Sequence, residues 1–174
     1  MTPGRKTTFC LIAACGLLGA AGCKPKPKAV TELQRKQAAH LDSEAQFALT
    51  MRDWARAEGL LAQAVQADPN NGHYWIALGS TRVRLGNKSR AQDAYEGALK
   101  AFQVEAQSEA GQKDPEAWLN QVQVLALLGR TDAARAVLEK TAKQFPENRA
   151  VRVFIENRQL DRLLADPSFK QVSL

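Results

Sequence analysis

Residues that carry chemistry are scarce in this sequence. Its two histidines, His40 and His73, are isolated, and neither lies in an H-x3-H or H-E-x-x-H spacing. Helix-borne metal sites of that kind therefore have no ligands. Its three cysteines, Cys10, Cys15 and Cys23, all fall within the first 23 residues, so no disulfide framework can be built further along. Neither G-x4-G-K-[ST] nor G-x-G-x-x-G occurs, which removes both glycine-rich phosphate cradles. Ser80 and Ser89 have no His-Asp partners for a nucleophilic triad. Seven prolines and eleven glycines in 174 residues exclude collagen and Pro-rich low complexity. Aromatics are only 6%, thin for a large β core.

What is present points to helices. Alanine is abundant and β-branched residues are few, a helix-forming balance. Apolar residues at 45% and charged residues at 24% match globular usage. Disorder along the whole length is thereby excluded. Acidic residues are scattered and alternate with arginine, which reads as solvated helix faces with i,i+4 pairs. Acid–base catalysis needs two poised groups in one pocket, and no spacing here supplies them. No catalytic residue, metal ligand or cofactor is expected, and the protein reads as a non-enzyme.

The net charge of +6 is unevenly placed. Residues 1–28 hold five of the 24 basic residues and no acid, leaving 19 basic against 18 acidic residues, a net charge of +1. Nucleic-acid binding needs a basic face on the folded part, so no nucleic-acid partner is expected.

The N-terminus reads as an address. Arg5 and Lys6 precede an uncharged apolar run from Phe9 to Ala21. A basic start, a short apolar stretch and small residues before a cleavage point describe a secretory signal. A spanning helix needs about 18 or more apolar residues, which makes a retained anchor the weaker reading. Ala20-Ala21-Gly22-Cys23 resembles the lipobox of bacterial lipoprotein signal peptides. Ala20 stands where that pattern usually has Leu, and Leu18 lies two residues upstream. The resemblance implies a signal peptide over 1–22, cleavage before Cys23 and lipidation of Cys23 (a palmitate-type acyl anchor). The rival reading is ordinary secretory cleavage that leaves a free Cys23, an exposed thiol in an oxidising compartment. Several acyl chains hold a protein on a membrane far more firmly than one.

Residues 23–29 then form a lysine–proline tether, Lys24-Pro25-Lys26-Pro27-Lys28. Alternating proline forbids helix and favours a spacer of about 3.1 Å per residue, roughly 15 Å for five residues. Its lysines either rest on anionic headgroups, at about 1 kcal/mol each, or only keep a soluble linker unburied. Lys24, rather than Asp, after the lipid site implies by the same resemblance the outer membrane, facing the periplasm of the bacterial envelope.

Residues 30–174 repeat. Trp75, Leu78, Gly79, Gly86, Ala91, Tyr95 and Ala98 resemble the tetratricopeptide (TPR) pattern W-x2-L-G…A-x3-Y. The match covers 72–105. Shifted back by 34 residues, Trp54, Ala57, Leu61, Ala64 and Pro69 repeat its second half, which gives 38–71. Shifted forward by 43, Trp118, Leu128, Gly129, Ala134, Leu138 and Pro146 give 115–148. There Gln121 and Val122 replace Leu-Gly, which predicts looser packing of the third pair. Residues 149–174 are read as a cap.

The nine extra residues between the second and third repeats have a visible cause. Gln103 stands where the others have Pro69 and Pro146, so no proline stops that helix. The spacing predicts one long helix from about Ser89 to Ala110, ended by Gly111, with about 2.5 added turns. Asp114-Pro115 starts the next helix, and Thr31 starts the first, over 30–51. Residues 147–164 read as one terminal helix. Val151, Phe154, Ile155, Leu160, Leu163 and Leu164 cover the end of the stack, and arginines face out. Asp166-Pro167 opens a last turn, with Phe169 tucked back.

The predicted fold class is therefore all-α: an α-α superhelix, a TPR solenoid of about three helix pairs plus a C-terminal cap, about seven main helices. Close helix approach needs small residues at the crossings, here Gly79, Ala57, Ala91 and Ala134. Trp75, Tyr95, Trp118, Leu61 and Leu138 fill the space between, so the tryptophans read as packing residues rather than stacking platforms.

TPR proteins use their first helices as a concave binding face. The resemblance assigns to that groove Asp42, Gln46 and Leu49, then His73, Ile76, Ser80 and Val83 with Arg84 alongside, then Glu116, Leu119, Gln123 and Ala126 with Asn120 alongside. The alternative for each is burial against the protein's own chain. The implied function is a membrane-anchored scaffold that holds another protein, or a peptide segment of one, in the bacterial envelope and has no chemistry of its own. Rival readings are a binder of a non-protein envelope ligand, such as peptidoglycan fragments or lipid, and an accessory subunit of an envelope enzyme. The oligomeric state is not legible.

Overall fold

The computed structural model describes residues 29–174. The expected signal segment 1–22, Cys23 and the lysine–proline run to Lys28 lie outside the described residues. Thr31 opens the first helix as predicted: its side chain accepts the Gln34 amide at 3.3 Å, and Gln34 Oε1 accepts the Thr31 N–H at 2.9 Å. This reciprocal cap satisfies two donors that a helix start leaves open. From it run α1 (Glu32–Thr50), α2 (Trp54–Ala67), α3 (Gly72–Arg84), α4 (Lys88–Ala106), α5 (Glu116–Leu127) and α6 (Thr131–Gln144). They form three antiparallel pairs, α1–α2, α3–α4 and α5–α6, stacked through α2 on α3 and α4 on α5. Among the described residues there is no strand. The fold is a TPR-like helical solenoid.

Each pair turns on the same three-residue hinge. The middle residues Arg52, Gly86 and Gly129 have φ of 59°, 76° and 70°. The amides of Asp53, Asn87 and Arg130 then close onto the carbonyls of Ala48, Arg82 and Leu125, each at 2.9 Å. This is the left-handed C-terminal stop that favours glycine. Asp53 and Asn87 next cap the second helices, accepting the amides of Arg56 and Arg90 at 3.1 Å; Arg130 makes no such bond.

Small residues sit at the crossings. A Cβ on Gly79 would lie 2.4 Å from the Tyr95 ring, and one on Gly97 would lie 2.7 Å from Trp75. Ala57, Ala91 and Ala134 are wholly buried. Tyr95, Leu61, Phe102 and Val122 fill the interior. Trp75 and Trp118 are half-buried, and each indole N–H donates at 3.0 Å to the loop before its helix, at Pro69 O and Gly111 O. The third pair packs more sparsely than the first two, as the change at Gln121-Val122 predicts. Buried Gln121 is satisfied by the Phe102 and Ala117 carbonyls at 3.3 and 3.2 Å.

Two expectations are corrected. The long helix ends at Ala106, not Ala110, although at 19 residues α4 still exceeds the 14 of α2 and α6. Residues 107–110 are exposed, with nothing to pack a further turn against. Instead the chain curls back, so that buried Gly111 lies where a Cβ would be 2.2 Å from Glu105 O. The cap is also not one helix. It is α7 (Arg149–Glu156), α8 (Gln159–Ala165) and α9 (Pro167–Lys170). The break falls at Arg158, which has φ 48°. It frees Leu160 to bury as α8 turns onto α5, and leaves Ile155 43% exposed rather than covering the stack. Phe169 is buried, as expected, behind the Asp166 cap on Ser168 N at 2.7 Å. The seven main helices expected are thus nine among the described residues, six of them in the three pairs.

Candidate protein-binding groove

The first helices of the pairs, α1, α3 and α5, carry the expected groove residues, and packing divides them. Gln46, Leu49, Ser80 and Arg84 open onto one cleft of about 520 Å³ between α1 and α3. Trp54 forms part of its wall, with the Arg84 guanidinium 5.0 Å from the ring centroid. Such a cation over an indole face holds both side chains in place.

Glu116, Leu119, Asn120 and Gln123 open onto a second cleft of about 540 Å³, between α5 and the cap. Leu119, Phe154 and Leu163 give it an apolar floor, and Asn120, Gln123, Asn148 and Gln159 a carboxamide rim. Such groups donate and accept without charge, as main-chain amides require. Asn148 and Gln159 were not legible as groove residues, because the cap that brings them there bends at a place no periodicity marks.

The other expected positions lie elsewhere. His73 lines a third hollow of about 370 Å³ with Arg35, Glu105 and Ser108, and its ring meets Phe102 edge-on at 5.1 Å. Partial burial pushes the Glu105 carboxyl up, the Glu116 charge adds to this, His73 opposes it, and Asp114 raises it further. Asp42 accepts from Gln46 Nε2 at 3.3 Å and faces Tyr74, whose hydroxyl is raised by burial and then by Asp42 and Asp68. Ile76 and Val83 pack on the main core, and Ala126 is 1% exposed, so these three are packing residues.

The chain itself covers part of this face, for Val172 lines the α1–α3 cleft. After α9, Val172 and Leu174 pack on the same core. The Tyr95 hydroxyl donates to Val172 O at 2.5 Å and shares a 3.2 Å bond with Ser80 Oγ. Burial raises Tyr95, which Ser80 and Arg84 oppose, so the hydroxyl stays protonated and able to donate. Leu174 N donates to Leu127 O at 2.9 Å. Apolar residues at 172 and 174 were the available signal for this contact.

Among the described residues no group of histidine, cysteine and carboxylate side chains could hold a metal ion, and no helix is long and apolar enough to cross a membrane. The geometry defines a class: a stack of helix pairs with clefts along its first helices. The tetratricopeptide repeat family matches residues 76–149, from α3 through α6 to the start of α7. No curated protein sequence matches the chain. Among solved structures, the TPR domain of Arabidopsis OM64 is similar, with a TM-score of 0.43 and 16% identity over 74% of this chain and 98% of that one.

Proposed function

We propose that this protein is a scaffold without catalytic activity, whose first-helix face takes up a polypeptide segment of another protein. The observation that carries the reading is the pair of clefts. Eight of the thirteen expected positions open onto them, and their linings combine apolar floors with carboxamide and hydroxyl groups and the charged Asp114, Glu116 and Arg84. That is the chemistry of a main-chain guest with side-chain anchors, and not of a reaction centre. TPR repeats over 76–149 support the same reading.

The anchoring belongs to the proposal too. Cys23 at the end of a lipobox-like run, followed by a lysine–proline spacer, supports a lipid-held protein of the bacterial envelope, facing the periplasm from the outer membrane. Cell-based crosslinking tests the scaffold. A specific protein adduct is expected in the wild type and is expected to vanish in Leu119→Asp, whose side chain lies in the α5 cleft. An adduct that survives Leu119→Asp and Ser80→Lys alike removes the groove from the reading. Acyl labelling tests the anchor: Cys23→Ser is expected to abolish the label and release the protein from membranes, and unchanged retention refutes lipidation.

A further inference from the structure

The segment after α9 lies against the first-helix face, where Val172 forms part of the wall of the α1–α3 cleft. The two hydrogen bonds between residues 172–174 and the helices α4 and α5 engage main-chain atoms of the segment: the Tyr95 hydroxyl donates to Val172 O at 2.5 Å, and Leu174 N–H donates to Leu127 O at 2.9 Å. Leu127 is the last residue of α5, so its carbonyl is one that no helical amide can satisfy. The two bonds bracket Ser173 and read nothing of its side chain. Identity enters through Val172, which walls the α1–α3 cleft, and Leu174, which packs on the main core. The hold is also slight. Residues 172–174 are only half-buried, Gln171 is exposed, and the four-residue α9 leads into them. Segments with few buried contacts open locally at little cost.

We propose that residues 171–174 stand in for the partner. They occupy the groove in cis and must leave before a guest binds, and the guest is a short polypeptide segment presenting two apolar side chains two residues apart. This rests on the reading of the groove as a protein-binding surface and specifies what that surface accepts. A tethered occupant competes at a high effective concentration, and a guest's apparent affinity falls by the fraction of molecules whose groove is open.

The test uses a fluorescent peptide of residues 166–174 and anisotropy titrations of the full chain. Val172→Ser with Leu174→Ser in the protein is expected to tighten binding of the peptide roughly tenfold or more, by emptying the site. The same two changes in the peptide are expected to abolish binding. A doubly substituted protein that melts like its parent yet binds the peptide no better overturns the proposal. So does one that fails to fold, because the segment is then a structural cap. Hydrogen exchange on the unmodified chain gives an independent reading. The Leu174 amide is expected to exchange much faster than amides within α3 and α5; exchange only through global unfolding overturns the proposal. A cellular adduct lost in Leu119→Asp, alongside no gain from emptying the groove, leaves the scaffold reading standing and sinks this one. Peptide binding that tightens on emptying the site, without any cellular adduct, upholds the groove as a peptide-binding surface and this proposal with it, and sinks only the scaffold role in the cell.

Discussion

Arg52 occupies, at φ 59°, the hinge position that Gly86 and Gly129 fill in the other two pairs. An L side chain in that region crowds the following carbonyl, at about 1–2 kcal/mol. Glycine removes that strain but adds freedom to the unfolded chain, at about 0.5–1 kcal/mol. Arg52 is exposed and pairs with no acid among the described residues. Arg52→Gly is therefore expected to stabilise the protein by about 0.5–1 kcal/mol, seen as a raised urea midpoint at unchanged slope. A lowered midpoint would show that the side chain holds the hinge through contacts of its own. The hinge was legible where glycine marks it, at 86 and 129, and hidden at 52, where neighbouring helices impose a conformation the residue does not prefer. The same holds for Arg158 at the break in the cap.

At the scale of elements, loops are held by the tryptophans that follow them. Trp118 reaches back from α5 to Gly111 O at 3.0 Å and fastens the coil between α4 and α5. Trp118→Phe keeps most of the ring but strands that carbonyl, so a loss of about 1 kcal/mol is expected, with faster amide exchange in residues 107–113. A loss of protection spread evenly over all helices would mean that the ring matters and the hydrogen bond does not. The same junction has an electrostatic signature. Burial, Glu116 and Asp114 raise the Glu105 carboxyl, and only His73 opposes them. A folded-state pKa above the unfolded one favours folding below the ordinary carboxylate range and is lost as pH rises through the folded value. Glu105→Gln is thus expected to melt higher than the parent at neutral pH. That advantage should shrink to nothing on acidification; an advantage independent of pH would assign it to packing. The three pairs were legible because their partners recur at a fixed interval. The end of α4, the bend after α7 and the return of residues 172–174 were not, since each depends on a contact made once. The candidate site divides the same way: α3 and α5 positions facing the clefts follow from register, whereas Val172 reaches the α1–α3 cleft from a segment with no repeat to announce it.

Among the described residues the interior forms two unequal clusters. The larger runs from α4 to the tail and includes Tyr95, Phe102, Val122, Leu127, Leu160 and Phe169. The smaller joins α1–α2 to α3–α4 through Ala45, Leu61, Val65, Leu78 and Ala94. Trp75 touches both. Glu58 ties the first pair to the second through Arg82 at 3.0 Å and Arg90 at 2.7 Å, Arg130 pairs with Glu96 between the second and third, and Arg135 with Asp161 at 2.8 Å joins the cap. Stability in such a stack is a sum of units and nearest-neighbour interfaces. The first pair has a neighbour on one side only among the described residues, an alanine-rich interface, exposed Leu33 and Phe47 on α1 and exposed Met51 just after it. It should open first. Leu61 is wholly buried in the smaller cluster, so Leu61→Ala is expected to cost about 2–5 kcal/mol. Native-state hydrogen exchange should register that loss chiefly in α1 and α2, with α5 and α6 still closed. Val122→Ala, in the larger cluster, should lower protection in every helix, because the remaining pairs lean on it. Equal loss of protection in α5 and α6 from Leu61→Ala would show that the stack opens as one unit, with Trp75 coupling the two clusters too strongly for the first pair to leave alone.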